Sequence, residues 1–323
     1  MKIAIDPFEI RHDTPEDYFR RVAESGFKYV EFSQRDDFWP YYTHPTANNE
    51  QVRRVKRLLR QHGLELASCL PLYRWSSPDE DERQAAVRYW SRAIDITVEL
   101  GCAQMNSEFS GRPEAPERSE AQFWKSMEVI LPRLEKEGIS LNLEPHPDDF
   151  IEDGIRAVDF IRAINSPNVG FLYCVSHTFH MGGDMARIIR HAGPDLRHLH
   201  ISDSYDHRAS GGGRYISNPP GNPARIHQHN PIGLGEVDWD QFFALLDEVG
   251  FDGIATSTIF SWAETFDQDS ASMFETLTSR LPSRPGGPAR TPPPEDAAPK
   301  AEAEAQAGRS ASGDGLGRRP RQP

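Results

Sequence analysis

The sequence predicts a (β/α)8 barrel, and three observations predict it. Short β-like runs alternate with amphipathic helical stretches along residues 1–282. There are eight of each, in strict alternation, which implies a parallel sheet. A body of about 280 residues also suits eight such units. A doubly wound open sheet is the structural runner-up, but its usual glycine-rich first turn is missing, since the first turn here reads DPFEIRHD.

The elements can be justified in order. KIAID (2–6) leads to a helix near 15–25, and KYVEFS (28–33) to one near 48–62. ELASCL (65–70) leads to 79–100, where the acids of Pro78 to Glu82 suit the positive end of the helix. AQMNSE (103–108) leads to 118–137, SLNLEP (140–145) to 154–164, and VGFLYC (169–174) to 184–192. LRHLHIS (196–202) leads to 238–249, where Asp240-Gln-Phe-Phe-Ala-Leu-Leu has the spacing of a helix with one buried face. GIATST (253–258) leads to 268–280. Gly26, Gly63, Gly101, Gly138 and Gly250 each stand just after a helical stretch, the usual place for a left-handed stop.

Strand alternation separates two faces. Ser140, Asn142 and Glu144 share one side of SLNLE, and His198, His200 and Ser202 share one side of LRHLHIS. The apolar faces pack on helices, and the polar faces point into the barrel. Barrel enzymes build their sites at the carboxyl ends of the strands. Glu108, Glu144, Cys174, His200 and Thr258 are therefore candidates by position.

Composition excludes several functions. The 36 basic residues against 49 acidic ones give a net charge of −13, which repels a phosphate backbone and argues against a general nucleic-acid binder. No apolar run approaches the roughly 20 residues needed to cross a bilayer. The opening MKIAIDPFEIR, broken by Asp6 and Pro7, is too short in its apolar run for a secretory signal. The three cysteines, Cys69, Cys102 and Cys174, have no metal-finger spacing and argue against a disulfide framework. A reduced, cytoplasmic protein is expected.

Composition shifts near residue 283. Residues 283–323 are rich in Pro, Ala and Gly, and Leu316 is the only large apolar side chain. Such a segment cannot bury enough area to offset its chain entropy, so a disordered tail is expected beyond a 1–282 barrel domain. The tail carries seven basic and five acidic residues, net +2, which leaves −15 on the body.

Nine of the 12 histidines lie between His146 and His229, so imidazoles are concentrated in the second half of the barrel. Glu144 and His146 each precede a proline, which favours extended backbone and puts both side chains on one side of the strand end. His227 and His229 flank Gln228, and His177 lies three residues past Cys174. Imidazole and carboxylate together suit Mn, Fe, Co, Ni or Zn. The long stretch 203–236 lacks clear secondary structure, which marks a lid or binding loop with Gly211-Gly-Gly as its hinge. Gly233-Leu-Gly235 has the look of a phosphate-type turn. Asp203 either orients a histidine or caps a turn.

Seven stretches carry a resemblance: YRWSSPDEDERQAAVRYW (73–90), NSEFSGRPE (106–114), LEPHPDDF (143–150), YCVSHTFH (173–180), HLHISDS (198–204), RYISNPPG (214–221) and RIHQHNPIGLGEVDWD (225–240). They resemble the sugar-phosphate isomerase/epimerase family, the xylose-isomerase-like barrels that also include endonuclease IV. They look closest to the inositol-catabolism IolH-type members. The resemblance implies a metal held by glutamate after strand 5, aspartate after strand 6, histidine after strand 7 and glutamate on strand 8. Glu144 matches the first place and His200 the third. Cys174 stands where aspartate is usual, and Thr258 or a neighbour where the last glutamate is usual. In the endonuclease branch an Asp-x-His pair before helix 7 binds metal, and His227-Gln-His229 falls there. The expected ligands of a divalent ion (Mn, Co, Fe or Zn) are thus Glu144, His200 and His229, with His177 or His227 as the fourth. Glu144, His146 and His177 are the expected catalytic groups. Glu108, Arg74, Asp203, Arg225 and His227 are the expected contacts to substrate.

The implied activity is isomerisation or epimerisation of a keto-sugar, inosose or related polyol through an enediolate. A lyase acting on a 3-keto-glycoside or inosose shares the first proton removal. A catalytically silent sugar-binding barrel is the reading if the two absent carboxylates mark lost catalysis. An AP-site nuclease needs three metals, a basic groove and further histidines, and strands 2 and 3 end in EFSQRDDF and ASCLPLYR without them. The expected partner is a small sugar or polyol, not nucleic acid or membrane, and a homo-oligomer stays open.

Overall fold

Each expected strand forms, and the eight close on themselves. The computed structural model describes residues 1–204, 216–217, 225–226, 229–260 and 262–281. In chain order the elements are β1 (Lys2–Ile5), α1 (Pro15–Glu24), β2 (Tyr29–Phe32), α2 (Asn49–Gln61), β3 (Glu65–Cys69), α3 (Glu80–Leu100), β4 (Gln104–Glu108), α4 (Pro116–Glu137), β5 (Ser140–Glu144), α5 (Gly154–Ile164), β6 (Val169–Cys174), α6 (Val175–His180), α7 (Met185–Ala192), β7 (Leu196–Ile201), β8 (Ile216–Ser217), β9 (Arg225–Ile226), α8 (Trp239–Glu248), β10 (Ile254–Ser257) and α9 (Phe266–Arg280). The barrel runs β1-β10-β7-β6-β5-β4-β3-β2 and returns to β1. Its neighbours pair in parallel. This closed sheet excludes the open, doubly wound alternative.

Local chemistry sets the helix boundaries. Thr14 caps α1 with Pro15 at its first position, where a missing N–H costs nothing. Asn48 and Gln51 form a reciprocal capping box on α2. Asp79 caps α3, whose first turn holds Glu80, Asp81 and Glu82 beside the positive end of the helix dipole. Gly101 and Gly138 end α3 and α4 with φ of 78° and 66°, a backbone region that side chains other than glycine resist. Outside the barrel wall the helices bury large aromatics, including Trp75 stacked on Trp90 at 4.5 Å between ring centroids.

Two features depart from expectation. The six-residue helix α6 follows β6 directly, too short to show a 3.6-residue period and with no polar cap on Cys174. The stretch 203–236 is not wholly irregular. β8 and β9 pair antiparallel, and Asp203 bridges Asn230. The expected Gly211-Gly-Gly hinge lies outside the described residues. The described residues all fall in one compact unit. The expected tail, 283–323, lies outside the described residues. Among the described residues no helix is long and apolar enough to cross a membrane.

The inside of the barrel is polar, as the strand alternation requires. Glu31, Ser68, Asn106, Asn142, His198 and Thr256 are all fully buried. Asn142 Nδ2 donates to Asn106 Oδ1 at 2.9 Å, Ser68 Oγ to Glu31 Oε2 at 2.5 Å, and His198 Nε2 meets Thr256 Oγ1 at 2.7 Å. Buried polar groups are tolerated when they satisfy one another in this way.

Candidate active site

The carboxyl ends of the strands open into a cavity of about 260 Å³. Asp6, Glu108, Glu144, His146, His177, His200, His229 and Thr258 supply its polar wall, and Phe8, Tyr41, Tyr42 and Phe260 its aromatic wall. That volume is below the roughly 300–1,000 Å³ of drug-sized sites and suits a small ligand.

Glu144 ends β5 on its inward face and is 3% exposed. Its Oε1 lies 2.7 Å from His177 Nδ1, and its Oε2 lies 3.3 Å from His200 Nδ1. The first contact is oblique, so Oε1 has no aligned hydrogen bond. Burial alone raises a carboxyl, but His200 and His177 outweigh it and hold Glu144 well below its ordinary range.

His200 is engaged on both sides. Its Nε2 lies 2.7 Å from Glu31 Oε1, on the inner wall of β2, while its Nδ1 faces Glu144. Burial works against its charge, yet the two carboxylates raise it well above the ordinary histidine range. Burial also opposes the charge on Glu31, but His200 and His198 overcome it and bring Glu31 down to about 2. An imidazolium is thus clamped between two carboxylates. His198, beneath it, is pushed by burial down to about 4 and stays neutral.

On the adjoining strand end His146 Nε2 lies 3.5 Å from Glu108 Oε1. Burial lowers His146, but Glu108 and Glu144 leave it raised. Behind them Asp149 accepts from the backbone N–H groups of Ser110 and Gly111 and is pushed by burial and by Glu108 up to about 7. His177, on α6, is pushed by burial down to about 4. His229 falls well below the ordinary range through burial and the neighbouring His177. Its ring stacks on Phe260 at 4.1 Å and 15°.

The structure brings most of the expected residues together. Glu108, Glu144, His146, His177, His200 and His229 all line the one cavity. Cys174 sits directly behind them, 1% exposed, with burial and Glu144 pushing its thiol up to about 12. Asp203 does not join them. Its carboxylate accepts from the backbone of Ser204, Gly233 and Val237 and from Trp239 Nε1, at 2.9, 2.8, 3.2 and 2.9 Å. It caps a turn instead of facing a ligand. The same contacts fill the Gly233–Gly235 turn, which therefore offers no phosphate cradle. Arg74 lies over the Tyr42 ring at 3.9 Å, behind the cavity wall. Arg225 is described only as part of β9, and His227 lies outside the described residues.

Sequence reasoning missed Glu31 and Asp6. Glu31 is a lone acid between Val30 and Phe32, and its importance comes from His200, 169 positions away. Asp6 ends the first strand, accepts from Ser33 Oγ at 2.5 Å, and is pushed by burial and Glu31 up to about 8. The strand-end rule applied to Glu108 and Glu144 would have selected Asp6 as well.

Residues 19–276 match the xylose isomerase-like TIM barrel family. The chain belongs to that family. It is 27% identical over 256 residues to a ketose 3-epimerase of Arthrobacter globiformis, covering 75% of this chain and 76% of that one. It is 23% identical over 251 residues to a 2-oxo-tetronate isomerase of Haemophilus influenzae, covering 73% and 84%. The structure superposes on the D-psicose 3-epimerase of Clostridium cellulolyticum H10, solved with D-tagatose, with a TM-score of 0.69 at 17% identity, covering 87% of this chain and 99% of that one.

For a xylose isomerase-like barrel, a divalent ion at the strand ends has to be tested against the residues present. The carboxylate-rich ligand set does not fit. Cys174 and Thr258 occupy two of its places, and His200 has both ring nitrogens turned to carboxylates. The donors that are present are softer. Cys174, His177 and His229 bring ligand atoms within 4.8 Å of one another, as do Glu144, Cys174 and His200. Cys174 is common to both groups.

Proposed function

We propose that this barrel isomerises or epimerises a keto-sugar, inosose or related polyol through an enediolate. One observation carries the reading: a buried carboxylate, Glu144, lines a small cavity beside His200, whose ring it flanks together with Glu31, a pairing that favours a carboxylate and an imidazolium. The ketose 3-epimerase and 2-oxo-tetronate isomerase relatives support the same reaction class.

The chemistry follows from the residues. The substrate lies with a ring or chain face against Phe8, Tyr41 and Phe260, and its hydroxyls meet the polar wall. Thr258 Oγ1 is buried with no hydrogen-bond partner among the described residues, so it is available to a substrate hydroxyl. Glu144 removes the proton alpha to the carbonyl, and the electron pair moves onto the carbonyl oxygen. The N–H groups of His200 are held by Glu31 and Glu144, so its positive charge favours that negative oxygen through space. Return of the proton to the former carbonyl carbon, with the hydroxyl proton of the alpha carbon passing to the former carbonyl oxygen, completes an isomerisation. Return to the opposite face of the alpha carbon completes an epimerisation and needs a second acid, for which the Glu108–His146 pair is placed on the adjoining strand end.

Proton exchange tests the proposal. Purified protein is incubated in deuterated water with a panel of ketoses and inososes, and deuterium at the alpha carbon is followed by NMR. At least one substrate should exchange, and Glu144→Gln should suppress that exchange. A panel without exchange, combined with measurable sugar binding, would instead leave a sugar-binding barrel.

A further inference from the structure

The ends of β1 and β2 place two carboxyl groups side by side. Ala4 pairs with Tyr29 and Ile5 with Val30, so the register carries Asp6 to Glu31 one step further along. Both are buried, Asp6 at 2% exposure and Glu31 at 0%. Two adjacent buried carboxyl groups do not both ionise, because each charge opposes the other. Their partners decide which one keeps a proton. Glu31 faces His200 Nε2 at 2.7 Å and His198 Nε2 at 3.3 Å, and it accepts from Ser68 Oγ and Asn106 Nδ2. Asp6 accepts from Ser33 Oγ at 2.5 Å, and among the described residues no ion pair reaches it. Arg11, past the end of β1, is turned elsewhere: it rests on the Phe8 ring at 4.0 Å and donates to the Phe8 carbonyl at 3.0 Å. Glu31 is therefore the anion of the pair and Asp6 the acid.

Asp6 also lines the cavity. The barrel order puts β1 four strands from β5 in either direction, so Asp6 and Glu144 stand on opposite walls of the barrel mouth. A small ligand in that space lies between an acid on one side and a carboxylate base on the other. Ser33 holds one oxygen of Asp6, and the acid O–H sits on the other. Burial and Glu31 push Asp6 up to about 8, near the working pH at which a proton is both present and transferable. A carboxylic acid kept neutral by its surroundings is an effective donor to a developing oxyanion. His200 has no such proton to offer, since both its nitrogens are turned to carboxylates. The other titratable groups facing Asp6 are Tyr18 of α1 and Tyr41 past β2, and burial keeps both neutral.

We propose that Asp6 is a catalytic acid of this site, giving its proton to the substrate's carbonyl oxygen from the wall opposite Glu144. This role rests on the isomerase reading above. As Glu144 takes the alpha proton, the C–H electron pair becomes the carbon–carbon double bond of the enediol. The carbonyl π pair moves onto oxygen and forms a bond to the Asp6 proton, and the old O–H pair stays on Asp6 as a carboxylate. In an isomerisation the Asp6 carboxylate then takes the hydroxyl proton of the former alpha carbon, while Glu144 returns its proton to the former carbonyl carbon. In an epimerisation Asp6 takes the same proton back. Asp6 thus moves protons between oxygens, and Glu144 moves them at carbon. The carboxylate formed on Asp6 stands beside the Glu31 anion, which favours recovery of its proton in the second half of the reaction.

The test compares the full chain with Asp6→Asn, whose amide keeps the shape of a neutral acid and accepts from Ser33 but gives up no proton. Thermal melts read the acid without turnover. In wild type the fold holds a proton on Asp6 that the unfolded chain has shed, so wild type loses stability as pH rises from about 4 towards about 8. Asp6→Asn lacks that loss. It should melt above wild type at neutral pH, and the gain should fade towards pH of about 4. Kinetics then read the role, on whichever ketose or inosose exchanges its alpha proton in deuterated water. Asp6→Asn should lower kcat and that exchange by about 10²-fold while KM stays nearly unchanged. Wild-type kcat/KM should fall on the alkaline side of about pH 8, and Asp6→Asn should lose that limb. Three results would overturn the proposal. A neutral-pH melt of Asp6→Asn at or below wild type makes Asp6 an ionised residue, whether or not any sugar reacts. A higher melt with undiminished kcat leaves a buried acid outside the chemistry. A panel without exchange in wild type removes the isomerase reading and the role with it, and the melts then still report the proton on Asp6.

Discussion

Glu31 and Glu144 are buried carboxylates sharing one imidazolium, yet their duties differ. Glu31 is fully buried and faces His200 and His198 on the inner wall. Its carboxyl sits near 2 in the fold against an ordinary 4.5, so the stability it contributes is present above about pH 4.5 and is lost as pH falls towards 2. Glu31→Gln leaves His200 half-paired in the interior, which costs about 3 kcal/mol at neutral pH. For a protein of this size that lowers Tm by about 6 °C. The deficit should shrink as wild type is taken down in pH through that window, and thermal melts across it would show this. A constant deficit would mean that shape, not charge, is at stake. Glu144 touches the cavity instead. Glu144→Gln keeps the volume and removes the base, so turnover should fall by about 10²-fold or more while the fold survives. Glu108→Gln should affect KM more than kcat if the reaction is an isomerisation, and should lower kcat as well if it is an epimerisation, where the Glu108–His146 pair returns the proton. Near-normal turnover in Glu144→Gln with none in Glu108→Gln would move the base to β4. Glu144 and His146 were legible because strand alternation and two prolines place them. Glu31 was not, because nothing within several residues of it signals a partner on the far side of the barrel.

The strands and helices follow from local rules, and the loops between them do not. Every barrel strand lies within one or two residues of the run that alternation marks, because each must bury one face against helices. The β7–α8 connection shows where such reasoning ends. Asp203, Gly233, Gly235, His227 and His229 within it read equally well as a ligand site or a turn. Long-range folding decides: Asp203 gathers four donors, and a Cβ on Gly235 would stand 2.3 Å from Asp203 Oδ1. Asp203→Ala strands those donors, two of them backbone N–H groups of the buried Ser204 and Val237, at about 1–3 kcal/mol for each buried group left unsatisfied. Tm should fall by about 5 °C or more, and Gly235→Ala should do the same. A variant that melts normally but loses substrate affinity would give Asp203 back to the site. Helix α6 illustrates the same boundary. It is one and a half turns long, without a cap, and only its packing on β7 next to the barrel mouth makes His177 a site residue.

At the scale of the molecule the question is where the folded body stops. Composition points to 283, and the described packing reaches at least to Leu281. Leu281 is 3% exposed, belongs to the main core, and its N–H donates to the Leu277 carbonyl at 2.8 Å, so the core extends to it. Beyond it the sequence offers one large apolar side chain in more than 40 residues, too little burial to offset the chain entropy of ordering them. Two shortened chains separate the contributions. A chain ended after Pro282 should keep its Tm within about 2 °C, since it gives up no core area. A chain ended after Arg280 loses Leu281 as well. Burying a leucine is worth about 1.5–3 kcal/mol, which for a body of this length is about 3–6 °C. The contrast between two chains that differ by two residues is the informative quantity, because any general effect of removing the acidic and basic tail residues is common to both. Equal melts would show that Leu281 adds nothing to the core. A large loss already at Pro282 would show that residues past 282 pack on the barrel, and the compositional boundary would then have to move towards the carboxyl terminus.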